Sequence, residues 1–339
     1  MHRSMVVLPF AVLACITLGG CKGVKPLADI RMDKDVAGQV ISMTLVGRNV
    51  TDGDVKEATK HTQISELRLQ ECSQVTKKGL SALRGSFPHL KLLDLVRVPI
   101  DDSSLEDLAK SATLTDLTLA HTQVVGSGLK HLTNCPLKRL AIFSRTVSAQ
   151  GMKNLAALQS LEELELHCQD LPLKDWAAIQ DLKNLKKLVA FRTPVGPQGI
   201  DALKGMTQLQ WLHLNSTDIQ DESIDTLNSL TRLEWLEIDY ATMTNAGLKR
   251  LQLPRLKQLS LDGCKGITDD GLANFESMPA LEMLMLGGTG VAGVDLTPLA
   301  NLPNLKEVRL MGNQFRGNDQ SIQALKAKLP NCEVVIMRG

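Results

Sequence analysis

The chain has 339 residues, 43% of them hydrophobic, with 38 Lys and Arg against 37 Asp and Glu. That length builds one large domain or two ordinary ones, and the near balance of charge argues against a strong field that gathers nucleic acid. Seven cysteines without a CxxC pair argue against both a disulfide framework and a zinc site.

MHRSMVVLPFAVLACITLGGC opens the chain. Arg3 precedes an apolar run, Met5 to Ile16, which is too short to span a membrane and has the length of a signal-peptide core. Leu18-Gly19-Gly20-Cys21 then sets small residues directly before a cysteine. The stretch resembles a bacterial lipoprotein signal. That resemblance implies removal of residues 1–20, lipid on Cys21, and a mature chain tied to a bilayer by its N-terminus. Each buried methylene of such a lipid contributes about 0.8 kcal/mol. An unlipidated signal peptide and a buried first strand are the competing readings. Residues 21–39 are expected as a lipid-anchor tether that can also cap the domain, with ADIRMDKD at 28–35 a short helix or part of the tether.

From Val40 onward apolar residues recur as L-x-x-L-x-L. Clear copies begin at Leu90, Leu114, Leu161, Leu209, Leu233, Leu256, Leu281 and Leu305; Ile64, Leu137 and Leu185 begin looser ones. Successive copies lie 23 to 26 residues apart. A period in this range marks a solenoid, because one short unit cannot bury its own apolar edge and must stack on the next. LQWLHL at 209–214 shows the local logic. Leu212 and Leu214 face inward on a short strand, and Trp211 and His213 alternate outward. IDTLNSL at 224–230 returns Ile224, Leu227 and Leu230 at helical spacing.

LDGCKGITDDGL at 261–272 looks at first like a site. In register with the other copies, Cys264 takes the small bend position held elsewhere by Thr122, Thr193, Thr217 and Thr289, and in the last clear copy by Asn313. Ile267 plugs the core. Asp269 or Asp270 is expected to cap the short helix starting near Gly271-Leu272. LQECSQVTKKGL at 69–80 repeats the design with Cys72 in the bend. LPLKDWAAI at 171–179 departs from the pattern, and its Trp176 is expected in the convex layer. GTGVAGVDLTPLA at 288–300 is expected to form a looser convex segment.

Residues 40–331 thus resemble the leucine-rich repeat superfamily. CKGITDDGL and CSQVTKKGL resemble the cysteine-containing subtype of F-box-type adaptors, whereas TQVVGSGL and TDIQDESI resemble the 24-residue bacterial type. The fold class is therefore α/β: a horseshoe solenoid with a parallel concave sheet of twelve strands and short convex helices. Residues 332–339 are expected to close it as a final strand or C-terminal cap.

Outward strand positions line the concave face, where solenoids often take partners. The expected partner-binding set is His167, Phe191, Trp211, His213, Trp235, Glu237, Asp239 and Tyr240. It holds two of the three tryptophans of the chain, and aromatic rings among polar groups suit a binding patch. Trp211 and Trp235 are expected side by side and exposed. His213 is expected near Glu237 and above Glu165, with no nucleophile aimed at it and an open surface that excludes water poorly. No enzyme activity, cofactor or metal is expected. The partner is a protein, with a glycan as second choice and no nucleic acid, while Cys21 engages the lipid bilayer. The reading is a non-enzymatic protein-binding module displayed at the bacterial cell envelope. The alternatives are a structural surface or spacer lipoprotein, and an intracellular adaptor similar to F-box-type proteins.

Overall fold

A computed structural model describes residues 29–214, 219–312 and 319–336. Cys21, Asn215, Thr217 and Asn313 lie outside the described residues. Among those described, fourteen strands form one sheet in strict chain order. They are β1 (Asp29–Lys34), β2 (Val40–Val46), β3 (Glu66–Gln70), β4 (Leu92–Val96), β5 (Asp116–Ala120), β6 (Arg139–Phe143) and β7 (Glu163–His167). Then come β8 (Lys187–Ala190), β9 (Trp211–His213), β10 (Trp235–Glu237), β11 (Gln258–Ser260), β12 (Met283–Met285), β13 (Glu307–Arg309) and β14 (Glu333–Val335). Strands β2 to β13 are the twelve repeats, each parallel to the next, and β14 adds parallel to β13.

The segment 28–35 is neither helix nor plain tether. Residues Asp29–Lys34 pair antiparallel with β2. Asp35 Oδ1 accepts from the amides of Ala37 and Gln39, both at 2.9 Å, and Gly38 takes φ +78°, so the chain reverses tightly. The alternation D-I-R-M-D-K then sets Ile30 opposite Leu45 and Met32 opposite Met43. A two-residue period is a strand signal, and it outweighs the helix reading.

The inward leucines of successive strands merge into one core running from Val40 to Cys332. In three copies the bend residue ties its coil to the one before it. Cys72 Sγ donates to the Leu45 carbonyl at 3.3 Å, Cys264 Sγ to Ile238 at 3.4 Å, and Thr193 Oγ1 to Leu166 at 2.9 Å. Burial pushes the thiol of Cys72 up to about 11 and that of Cys264 up to about 12. Both thiols therefore stay protonated and serve as weak donors, not nucleophiles.

Asp101 caps its own helix through the Ser103 amide at 3.0 Å, but Asp269 acts differently from the expected cap. Asp269 does not cap its own helix; the N-cap there is Thr268, which makes no side-chain cap bond. Instead Asp269 accepts from the amides of Ala292, Gly293 and Val294 in the following repeat, at 2.8 to 3.1 Å. Asp52 likewise receives the Thr76 amide and hydroxyl, both at 2.7 Å, and Asp221 those of Thr244. A carboxylate that satisfies the next coil's amides stitches neighbours together across the solenoid. The segment 288–300 keeps only a short 3-10 turn, Thr297–Asn301, behind the Asp269 clamp. Trp176 is fully buried on the convex side and donates from Nε1 to the Pro194 carbonyl at 2.6 Å.

Candidate concave binding face

Each strand sends alternate residues outward, and parallel register stacks them into columns. In the first column Lys187, Trp211, Trp235 and Gln258 are direct neighbours. The indoles of Trp211 and Trp235 lie 3.7 Å apart between centroids, inclined by 13°. Lys187 Nζ sits 4.8 Å from the Trp211 ring centroid. The two tryptophans are half-buried, not exposed as expected, because each covers a face of the other.

The second column holds the polar chemistry. Glu237 accepts from Trp235 Nε1 at 2.6 Å through one oxygen and faces His213 Nδ1 at 2.8 Å with the other. Burial pushes the Glu237 carboxyl up, but the His213 bond and charge, then Trp235 and Lys187, outweigh it and hold the group below its ordinary value. An ionised Glu237 accepts from His213 Nδ1, as it does from Trp235 Nε1. Glu165 shares a column with His213, two strands away as expected. It bonds His167 Nε2 at 2.7 Å, so each histidine has its own carboxylate.

The third column is aromatic, then acidic. Phe143 stacks on His167 at 4.1 Å, His167 meets Phe191 at 5.5 Å, and Phe191 meets His213 edge-on at 6.0 Å. Beyond them Asp239 accepts from Ser260 Oγ at 2.5 Å and from the Asp262 amide at 3.1 Å. Asp262 in turn accepts from the Gly287 amide at 2.6 Å. Burial, reinforced by the neighbouring acids, pushes both carboxyls above their ordinary values.

The structure thus gathers His167, Phe191, Trp211, His213, Trp235 and Glu237 into one continuous patch. Asp239 joins the adjoining Ser260–Asp262 network. Tyr240 stands on the rim, 66% exposed, at φ +60°, with its ring laid over Gly263 where a side chain would collide. Sequence reasoning missed the Asp262–Gly287 link and the placement of Lys187 over Trp211. The repeat register carried both signals, since 187, 211 and 235 differ by one period each.

Among the described residues three buried polar atoms on this face lack a hydrogen-bond partner: Trp211 Nε1, His213 Nε2 and Gln258 Oε1. Buried polar groups in native proteins are almost always paired, so a cluster of orphans on one surface is unusual. Among the described residues no group of three or more His, Cys, Asp or Glu is placed to hold a metal ion.

No protein-family model and no curated protein sequence matches the chain. Solved structures do. An internalin from Listeria monocytogenes aligns with a TM-score of 0.51 at 18% identity, over 79% of this chain and 86% of its own. Rad7 in the yeast Rad7–Elc1 complex aligns at 0.56 and 19%, over 86% and 81%. A leucine-rich repeat protein of Leptospira interrogans aligns at 0.50 and 19%, over 82% and 80%. At these identities the likeness is one of fold: the chain has the leucine-rich repeat horseshoe.

Proposed function

We propose that the chain is a non-enzymatic binding module that receives a protein partner on its concave sheet, centred on β7 to β11. The observation that carries the reading is the trio of orphaned buried atoms set around the stacked Trp211–Trp235 pair. A partner that completes those bonds removes the cost of leaving them unmade, about 1–3 kcal/mol for each group. A glycan fits less well, since sugar rings need a bare indole face. Here the indoles cover one another, and Lys187 lies over Trp211. One solved structure of this shape, Rad7, is itself in a complex with a protein, Elc1.

In the same reading the repeats are of the bacterial 24-residue type, and Cys21 carries the lipid that holds the module at the cell envelope. The N-terminal sequence supports this; no helix among the described residues is long and apolar enough to cross a membrane. Intact mass and membrane partition of the natively expressed protein test the anchor. A mature N-terminus at Cys21 with acyl mass is expected, and an unprocessed Met1 in the soluble fraction removes it.

The binding reading is tested by capture from envelope and extracellular extracts, comparing wild type with Trp211→Ala/Trp235→Ala. The double variant is expected to keep its far-UV circular dichroism and lose about 2 kcal/mol or more of affinity, as central aromatic anchors do. A partner held equally by both proteins moves the site off this face. No partner for the folded wild type favours a structural spacer.

A further inference from the structure

The charge balance of the whole chain conceals a segregation. Outward positions along β2 to β14 carry ten carboxylates and only four Lys or Arg, drawn from totals of 37 and 38. The concave face is therefore strongly negative, and the rest of the molecule is positive.

Three of the four cations, on β3, β6 and β13, are already engaged. Arg68 bridges Glu66 and Asp94, Arg139 pairs with Asp116, and Arg309 with Glu307. Over β7 to β11 the outward carboxylates Glu163, Glu165, Glu237 and Asp262 outnumber the one outward strand cation, Lys187, which lies on Trp211, while Arg192 lies over Phe191 beyond the end of β8. Among the described residues Glu163 and Asp262 have no cation within ion-pair distance. Elsewhere the surface acids are laddered with bases, as in Lys138–Glu162–Lys186. The deficit is thus local to the aromatic patch.

The orphaned atoms give a second and independent constraint. Gln258 Oε1 is an acceptor and Trp211 Nε1 a donor, and both lack a partner. The patch suits a ligand that brings an N–H donor to Gln258 and a carbonyl to Trp211, beside carboxylates that favour a cation. A guanidinium, with five donors and a planar fork, suits such a site best. A backbone carbonyl beside it suits Trp211. Phosphate-bearing ligands are repelled by the same carboxylates.

We infer that the concave face docks a basic, extended polypeptide segment, whose Arg or Lys side chains lie along Glu163, Glu165, Glu237 and Asp262 and whose main chain meets Trp211. The inference rests on the reading of this sheet as the binding face and adds the chemistry of the partner. Four strand spacings separate β7 from β11, about 19 Å. About six extended residues cover that distance. The elevation of Asp239 and Asp262 by burial and mutual repulsion agrees with this: a partner cation relieves what now disfavours their ionised forms.

The test is selection of random dodecapeptides displayed on phage against the full-length chain, repeated on two folded variants, Glu163→Gln/Asp262→Asn and Trp211→Ala/Trp235→Ala. The expected result is enrichment of Arg and Lys over the input library and recovery that falls with salt. Both variants are expected to reduce recovery by about tenfold or more, one decade for each 1.4 kcal/mol. Peptides with no basic bias that are still lost with the tryptophans overturn the charge inference and leave the concave reading standing. Basic peptides recovered equally on both variants overturn both, since binding then lies elsewhere. Failure to recover any peptide overturns the inference, because a short basic segment is what it requires. A salt-sensitive dimer of the wild-type chain, abolished by Glu163→Gln/Asp262→Asn, overturns it in favour of a second copy as occupant.

Discussion

A Cβ on Gly128 would overlap the backbone carbonyl of Asp102, in the preceding coil. The side chain of Asp102 meanwhile accepts from the amide of Gly128 at 2.6 Å and of Val125 at 3.0 Å. The glycine of the recurring Gly-Leu pair is thus a matter of clearance between stacked coils. Neither neighbour can retreat without breaking that clamp. Gly128→Ala is expected to cost about 1–3 kcal/mol, as overpacking does. The readout is a lower urea midpoint with an unchanged slope; an unchanged midpoint would show that the adjoining coil yields.

Asp262 offers a prediction of opposite sign. Burial is the main cause of its elevated carboxyl; the Gly287 amide opposes it, and Asp239 and Glu237 together add more than Arg309 removes. A native state that holds the proton more tightly than the unfolded chain is favoured below the ordinary aspartate value. That advantage is lost as pH rises through the native value. At pH 7 the ionised Asp262 is therefore a burden. Asp262→Asn keeps an acceptor for the Gly287 amide and is expected to raise stability by about 0.2–1 kcal/mol, the scale of facing like charges on a sheet. The difference should vanish near pH 3, where the carboxyl is largely protonated. A variant less stable than wild type at pH 7 would show that the Gly287 bond needs the charge.

At the scale of elements, the strands β7 to β10 matter through what their columns place in contact. Trp211 and Trp235 are a period apart in sequence and 3.7 Å apart between centroids. Two indoles so close and nearly parallel should couple in the near-ultraviolet. Trp235→Phe is expected to abolish that band and to cost about 0.5–1.5 kcal/mol beyond the lost area. Near-ultraviolet circular dichroism with denaturant titration checks both, and a band that survives means the rings do not stack in solution. The same substitution removes a donor from Glu237, so His213 becomes that carboxylate's remaining side-chain partner.

On the scale of the whole molecule, each repeat touches its neighbours and little else, so stability is a sum of units and interfaces. The end coils are the weak places. Strand β1 covers one of them, leaving Ile30 and Met32 about half exposed at 42% and 44%. Deleting residues 29–35 bares the outer edge of β2. Amide hydrogen exchange is then expected to accelerate in β2 and β3 and to stay unchanged in β6 to β9. A uniform loss of protection would show that the solenoid unfolds as a single unit.

The repeat, its register, the inward leucines, the bend cysteines and the outward candidate residues were all legible in the sequence. Each is a local pattern of two or about 24 residues, and burial of a periodic apolar edge leaves a chain few alternatives. Other features depended on what lies one coil away. Asp269 clamps the next repeat rather than its own helix, and Glu165 serves His167 rather than His213. The tryptophans hide in each other, and residues 29–34 turn back as an edge strand. Hydrogen bonds and ring contacts are made over a few ångströms between side chains some 24 positions apart, and rotamer and approach are set by packing. A composition with nearly equal numbers of acids and bases, 37 against 38, likewise says nothing of where they lie. Only the stacking of strands puts the carboxylates on one face and the surplus of cations elsewhere.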